Sequence, residues 1–297
     1  MAKTFPGAGI PANLNAMAVI VPDSLDAALA ALAAHPGATV LAGGTDLMVE
    51  VNAGHRRLTQ VVAVGRLAEL AGVRVEGGTV VIGAGVTFAQ LELPPVADLV
   101  PALAYAARTV GSPQIRNAAT IGGNLATASP AGDALPVLVA LGATVEIAGA
   151  GGRRVVPISD FFTGPKRSLL ATDDLVAAVH VPVRRGPQDY LKVGVRNAMV
   201  IAVASLAIAV DLDARTVGIG LGSVGPTPLA APDAAAWIAT RAEWRADGVD
   251  VSDPDVVEFA ERVAAAAQPI DDHRGTARYR RHAVSVMARR ALRRCTG

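Results

Sequence analysis

Leu41, Ala42, Gly43, Gly44, Thr45, Asp46 and Leu47 set two adjacent glycines between an apolar run and a hydroxyl. Without a Cβ, paired glycines let backbone N–H groups close on an anion, and Thr45 adds a hydroxyl donor. A diphosphate suits such a turn; a plain Gly-Gly turn is the alternative. Residues 119–133 (ATIGGNLATASPAGD) repeat the pair at Gly122-Gly123 and surround it with Thr120, Asn124 and Thr127. Their closing carboxylate, Asp133, suits a ribose hydroxyl. Two such turns can clamp one dinucleotide from both sides. A Gly/Ser-rich surface loop is the competing reading.

Other motifs exclude more than they offer. Gly220-Leu221-Gly222-Ser223-Val224-Gly225 has the G-x-G-x-x-G spacing, but Pro226 and Pro228 follow and no helical pattern starts before about residue 233. A Rossmann loop needs a helix to begin at the glycines, so this one reads as a turn. There is no G-x-S-x-G, HExxH or Walker loop. His35, His55, His180, His273 and His282 lack ligand spacing. Lys192 with Arg196, and Asp272 with Arg274, read as structural ion-pair residues. Cys295 is the one cysteine, so this chain alone holds no internal disulfide, iron–sulfur cluster or cysteine-based zinc site.

These segments need elements to position them. A strand at 19–21, a helix at 25–34 capped by Ser24 and a strand at 39–41 form a βαβ-like opening that runs into the first glycine turn. Val-rich segments at 61–64, 73–75 and 80–82 alternate with Gly-rich turns and read as hairpins. A helix is expected at 96–109. Residues 110–133 show no periodicity and read as one long functional loop. Regular structure resumes at 137–140 and 144–147, with a hairpin tip at 149–152. A break in composition at 181–187 separates a second part with strands at 202–210 and 216–221 and helices at 233–239, 255–267 and 276–294.

Apolar residues make up 52% of the 297 positions, spread along the whole chain, which excludes disorder. A net charge of +1 supplies no field for nucleic acid or anionic lipid. Four arginines among residues 289–294 read as a solvated helix end. The N-terminus shows no secretory signal, and the longest apolar run, 198–210, is too short for a membrane span. The expected location is cytoplasmic.

Six segments then fall in a telling order: LAGGTDL, IRNAATIGGNLATASPAGD, FFTGPKRSLLATDDLV, KVGVRNAMVIA, GSVGPTP and PIDDHRGTARYRRHAV. Together they resemble the FAD-binding (medium) subunit of molybdenum hydroxylases, the family of the carbon monoxide dehydrogenase flavoprotein and the central flavin domain of xanthine dehydrogenase. The resemblance spans about residues 19–291.

It implies an α+β chain with a vanillyl-alcohol-oxidase (PCMH)-type FAD-binding domain at 15–180, in subdomains of about 15–58 and 59–180. A C-terminal α+β domain like that of the carbon monoxide dehydrogenase flavoprotein would follow at 187–297. It also implies that residues 41–47 hold the diphosphate, that Thr120, Gly123, Asn124 and Thr127 line the other side, and that Asp133 meets the ribose. Leu170 and Lys192 would contact the flavin or the adenine half, and Val110 and Ile201 would flank the isoalloxazine. Val110 stands where some relatives carry Phe.

The implied cofactor is exchangeable, non-covalent FAD, with no metal on this chain and no side chain required as an acid or base. The implied partners are an iron–sulfur small subunit and a molybdopterin large subunit, with NAD, a quinone or oxygen as acceptor; a homodimer is a further arrangement. The alternatives are a stand-alone flavin oxidoreductase acting on a small molecule and a scaffold homologue without flavin.

Overall fold

The computed structural model describes residues 18–296. The segment 1–17, read above as free of a secretory signal, lies outside the described residues, as do the outermost positions of the two expected domains. Ser24 opens the first helix, Leu25–Ala34, by accepting a hydrogen bond from Ala27 N at 3.2 Å. The helix buries Leu25, Ala28 and Leu32 and links two strands of a small parallel sheet, Ala18–Ile20 and Thr39–Leu41, which flank Gln60–Ala63. Thr39–Leu41 runs straight into Gly43, so the first glycine turn sits at the carboxyl end of a parallel strand. The helix after the turn, Leu47–Asn52, buries none of its residues.

A five-stranded antiparallel sheet follows, in the order Val73–Glu76, Thr79–Gly83, Leu175–Pro182, Thr144–Gly149, Gly152–Pro157. Its central strand, Leu175–Pro182, went unread in the sequence. It is covered on both faces, so its apolar residues run without the period-two alternation that marks a half-exposed strand.

Two further expectations need correction. The helix expected at 96–109 breaks into Val96–Leu99 and Pro101–Arg108, because Pro101 forces Val100 out of the helical region (φ −135°, ψ 60°). The loop expected at 110–133 contains two helices, Pro113–Ala118 and Ile121–Thr127, capped by Ser112 and Thr120. With six and seven residues, neither is long enough to show helical periodicity.

The C-terminal sheet is four-stranded and antiparallel: Gln188–Val193, Ala204–Asp211, Thr216–Gly222 and Leu229–Ala230. Its two faces pack against different partners. Leu206, Ile208 and Val210, with Val217, Ile219 and Leu221, join the core covered by helices Pro232–Arg241, Asp253–Ala266 and Ala277–Arg294. Ala207 and Ala209 face the other way, into the core of the N-terminal part.

Beside them, Gly218 and Gly220 touch the carbonyls of Ala140 and Pro136 on helix Leu135–Leu141, so closely that any Cβ would overlap those oxygens. Within the G-x-G-x-x-G spacing, Gly220 and Gly222 thus follow from strand alternation, apolar residues to one core and glycines towards Pro136, while Gly225 lies in the turn beyond the strand, against Leu229. The next helix begins at Pro232, as the sequence suggested.

Gly220→Val should cost about 3 kcal/mol through overpacking at this seam. Thermal unfolding would show it; an unchanged melting temperature would mean the seam tolerates a side chain.

Candidate functional site

The parallel sheet, the five-stranded sheet and the start of the C-terminal domain enclose a cavity of about 710 Å³. That falls in the usual size range of ligand clefts, roughly 300–1,000 Å³. All seven residues 41–47 line it. So do Val110, Thr120, Gly123, Asn124, Thr127, Asp133, Leu170 and Ile201. Lys192 alone among the expected positions does not; it stands behind Asp133. The sequence reading missed Glu50, Arg56 and Lys166, which also border the cavity.

The two glycine segments meet directly. A Cβ on Gly43 would overlap the carbonyl oxygen of Ala118, one residue before the second segment begins. Gly44 has a left-handed backbone (φ +71°), the conformation glycine adopts without strain. Behind the second segment, a Cβ on Gly122 would come within 2.6 Å of the Ala84 methyl. In this pair of turns, glycine at 43 and 122 chiefly permits backbone to approach backbone.

Thr120 Oγ1 accepts from Gly123 N at 3.0 Å and fixes the first turn of Ile121–Thr127. Asn124 N donates to Thr120 O at 3.0 Å, while Asn124 Oδ1 is buried with no hydrogen-bond partner. An unpaired buried amide oxygen costs about 1–3 kcal/mol, so a donor arriving in the cavity would relieve it.

Asp133, on the same wall, is only 8% exposed and its carboxylate is fully engaged. Tyr190 Oη donates to Oδ1 at 2.9 Å and Lys192 Nζ donates to Oδ2 at 2.7 Å. Lys192 Nζ also donates to Thr109 O at 3.1 Å. Tyr190 and Lys192 lie two apart on Gln188–Val193 and share one face of that strand. Burial pushes the Asp133 carboxyl up, against the pull of the Lys192 ammonium and the Tyr190 hydroxyl. Burial and the neighbouring Asp133 push the Tyr190 phenol well above its usual value.

Asp133 thus bolts the two domains together at the cavity wall, a role the sequence reading of a free ribose acceptor did not include. Lys192 has Asp133 as its ion-pair partner, whereas Arg196 donates to the carbonyls of Ala198 and Met199. The near partner of Asp272 is the buried Arg280 at 2.6 Å; Arg274 stands at 3.8 Å.

Asp174 completes the wall. It accepts both terminal nitrogens of Arg154, at 3.1 and 2.5 Å, and the N–H of Ala171 at 2.7 Å. The Arg154 pairing holds its carboxyl below the usual carboxylate range. This clamp shapes the turn that presents Leu170.

The geometry is matched by kinship. Residues 15–184 match the family described as "FAD binding domain in molybdopterin dehydrogenase", and residues 189–295 match the "CO dehydrogenase flavoprotein C-terminal domain". The glyceraldehyde dehydrogenase medium chain of Sulfolobus acidocaldarius is 33% identical over 91% of this chain and 95% of its own length. The carbon monoxide dehydrogenase medium chain of Hydrogenophaga pseudoflava is 30% identical over 86% of this chain and 88% of its own. Among solved structures, reconstituted CO dehydrogenase from Oligotropha carboxidovorans contains a chain that superposes with a TM-score of 0.85 at 29% identity. That match covers 94% of this chain and 97% of the other.

Asp133→Ala leaves the Lys192 ammonium buried without its counter-ion, so it should cost about 3–5 kcal/mol of stability, read from denaturant unfolding. A loss below about 1 kcal/mol would mean water replaces the carboxylate. The Asp174 clamp has the acid-sensitive sign. Its contribution is complete above the ordinary aspartate value of about 4 and is lost as pH falls through the lowered folded value. Asp174→Asn should therefore lower the melting temperature at pH 7 and flatten its decline towards pH 3; an unaltered decline would assign that decline to other carboxylates.

Proposed function

This chain belongs to the FAD-binding family of molybdopterin dehydrogenases, and on that premise we propose that it carries one exchangeable FAD as the flavin subunit of a molybdenum hydroxylase complex. The observation that carries the reading is the meeting of two glycine segments, residues 41–47 and 119–127, around a single cavity.

In this reading the backbone of residues 41–47 holds one side of the diphosphate, and Thr120, Gly123, Asn124 and Thr127 hold the other. The orphan Oδ1 of Asn124 accepts from a ligand hydroxyl. Val110, Leu170 and Ile201 supply an aliphatic lining for the isoalloxazine, in a cavity wall where Phe88 is the one aromatic among the described residues. Asp133 and Lys192 set position and charge beneath that end without being consumed. The bound flavin supplies the chemistry, taking up electrons and passing them on; the side chains bind it, orient it and exclude water. No histidine or cysteine lines the cavity, which supports non-covalent attachment.

Cys295, the chain's one cysteine, is buried and its thiol is pushed up to about 12, so it offers no thiolate to a cluster. In this reading the electrons arrive from another chain, which carries the clusters that this one does not. An iron–sulfur small subunit beside a molybdopterin large subunit fits the medium-chain names of the relatives. NAD, a quinone or oxygen then takes the electrons.

The test is to titrate the purified chain with FAD and to assay it for dehydrogenase activity alone and with its partner subunits. One FAD per chain, with turnover only in the assembled complex, is expected. A chain that stays colourless after FAD addition, or that oxidises a substrate unaided, would overturn the proposal.

A further inference from the structure

We propose that Lys166 is the cation that meets the dinucleotide diphosphate, and that Glu50 holds it across the cavity until the diphosphate takes its place. The inference rests on the FAD reading above and adds a residue that the sequence patterns did not single out.

Lys166 occupies the turn between the short strands Phe162–Gly164 and Arg167–Ser168, with a left-handed backbone (φ +54°). Its backbone N–H donates to Ala128 O at 3.0 Å, and Ala128 is the residue that ends helix Ile121–Thr127. The lysine is therefore anchored to the second glycine segment. Its ammonium reaches the other wall and donates to Glu50 Oε1 at 2.9 Å. Glu50 lies on Leu47–Asn52, the helix that grows out of the first glycine turn. One ion pair thus joins the elements that carry both turns, and both of its members line the cavity.

The charge balance of the cavity assigns this pair its work. Among the described residues, the charged side chains lining it are Asp46, Glu50, Arg56, Asp133, Lys166 and Asp174. Asp133 is neutralised by Lys192, and Asp174 by Arg154. At the glycine turns that leaves Asp46 and Glu50 against Lys166 and Arg56; Arg56 Nη2 is directed to Thr39 Oγ1 at 3.2 Å and Arg56 Nη1 stands 3.8 Å from Glu50 Oε2, a looser pair than that of Lys166 at 2.9 Å. A diphosphate brought there adds negative charge beside two carboxylates, and Lys166 is the cation poised between the walls.

The existing pair is easily exchanged. Its side chains keep 57% and 31% of their exposure, and so wet an ion pair contributes little. A lysine ammonium is a point charge on a flexible stem and can turn from a carboxylate to a phosphate without a fixed geometry. The ammonium–phosphate contact it would form is charge-assisted.

Lys166→Gln and Glu50→Gln separate this role from a mere strap. FAD affinity would be measured by flavin fluorescence, and ADP, which carries the diphosphate without the flavin, by competition against FAD. Lys166→Gln should weaken both ligands about tenfold and flatten the salt dependence of binding. Glu50→Gln should tighten both, since it releases Lys166 and removes a repelling charge. Melting temperatures of the ligand-free variants control for folding.

Parallel weakening by both variants would overturn the proposal, because the pair would then serve only to tie the walls together. Unchanged binding in Lys166→Gln would overturn it too. Failure of the unsubstituted chain to bind FAD is a separate result: it would remove the flavin reading itself.

Discussion

Backbone meets backbone at Gly43 and Ala118, with no room for even one methyl group between them. The rest of the site depends on that contact. It brings the carboxyl end of a parallel strand against the start of a short capped helix, although 75 residues of chain separate them in sequence. Each turn has its own local scaffold: the strand Thr39–Leu41 for one, and Thr120 capping Ile121–Thr127 for the other. Neither scaffold alone makes a cleft. Their contact converts two ordinary turns into two walls of one cavity.

The seam between the two domains follows the same logic with different chemistry. Small residues again permit close approach, with Ala207, Ala209, Gly218 and Gly220 seating the C-terminal sheet on helix Leu135–Leu141. A polar bolt then fixes the register. Asp133 from one domain receives Tyr190 and Lys192 from the other, and Lys192 also returns to Thr109 O. Burial of such a group is tolerable because both carboxylate oxygens have partners. The cavity wall that carries Val110 is consequently held by both domains, so the C-terminal domain contributes to the site's geometry from behind.

Much of this was legible in the sequence, and the rest was hidden for physical reasons. The glycine segments stood out because each sets adjacent glycines among small hydroxyl or amide residues, and both line the cavity. The capped helix at Leu25–Ala34 was equally plain. The strand Leu175–Pro182 was not, because a strand buried on both faces loses the alternation that would reveal it. The helices inside 110–133 were too short to show a period. Asp133 was placed at the cavity, but its partners sit 57 and 59 residues away, beyond any local pattern. Lys166 was passed over inside a quoted motif for the same reason, since its partner Glu50 is 116 residues distant. Long-range pairing of polar groups is what spacing in sequence conveys least.

The proposed grip of both glycine segments on one diphosphate is open to a direct test, a crystal structure of the chain loaded with FAD. Phosphate oxygens are expected within hydrogen-bond distance, about 2.7–3.2 Å, of backbone nitrogens from residues 43–46 and also from residues 120–124. A diphosphate held by one segment alone, with the other facing solvent or the flavin ring, would contradict it.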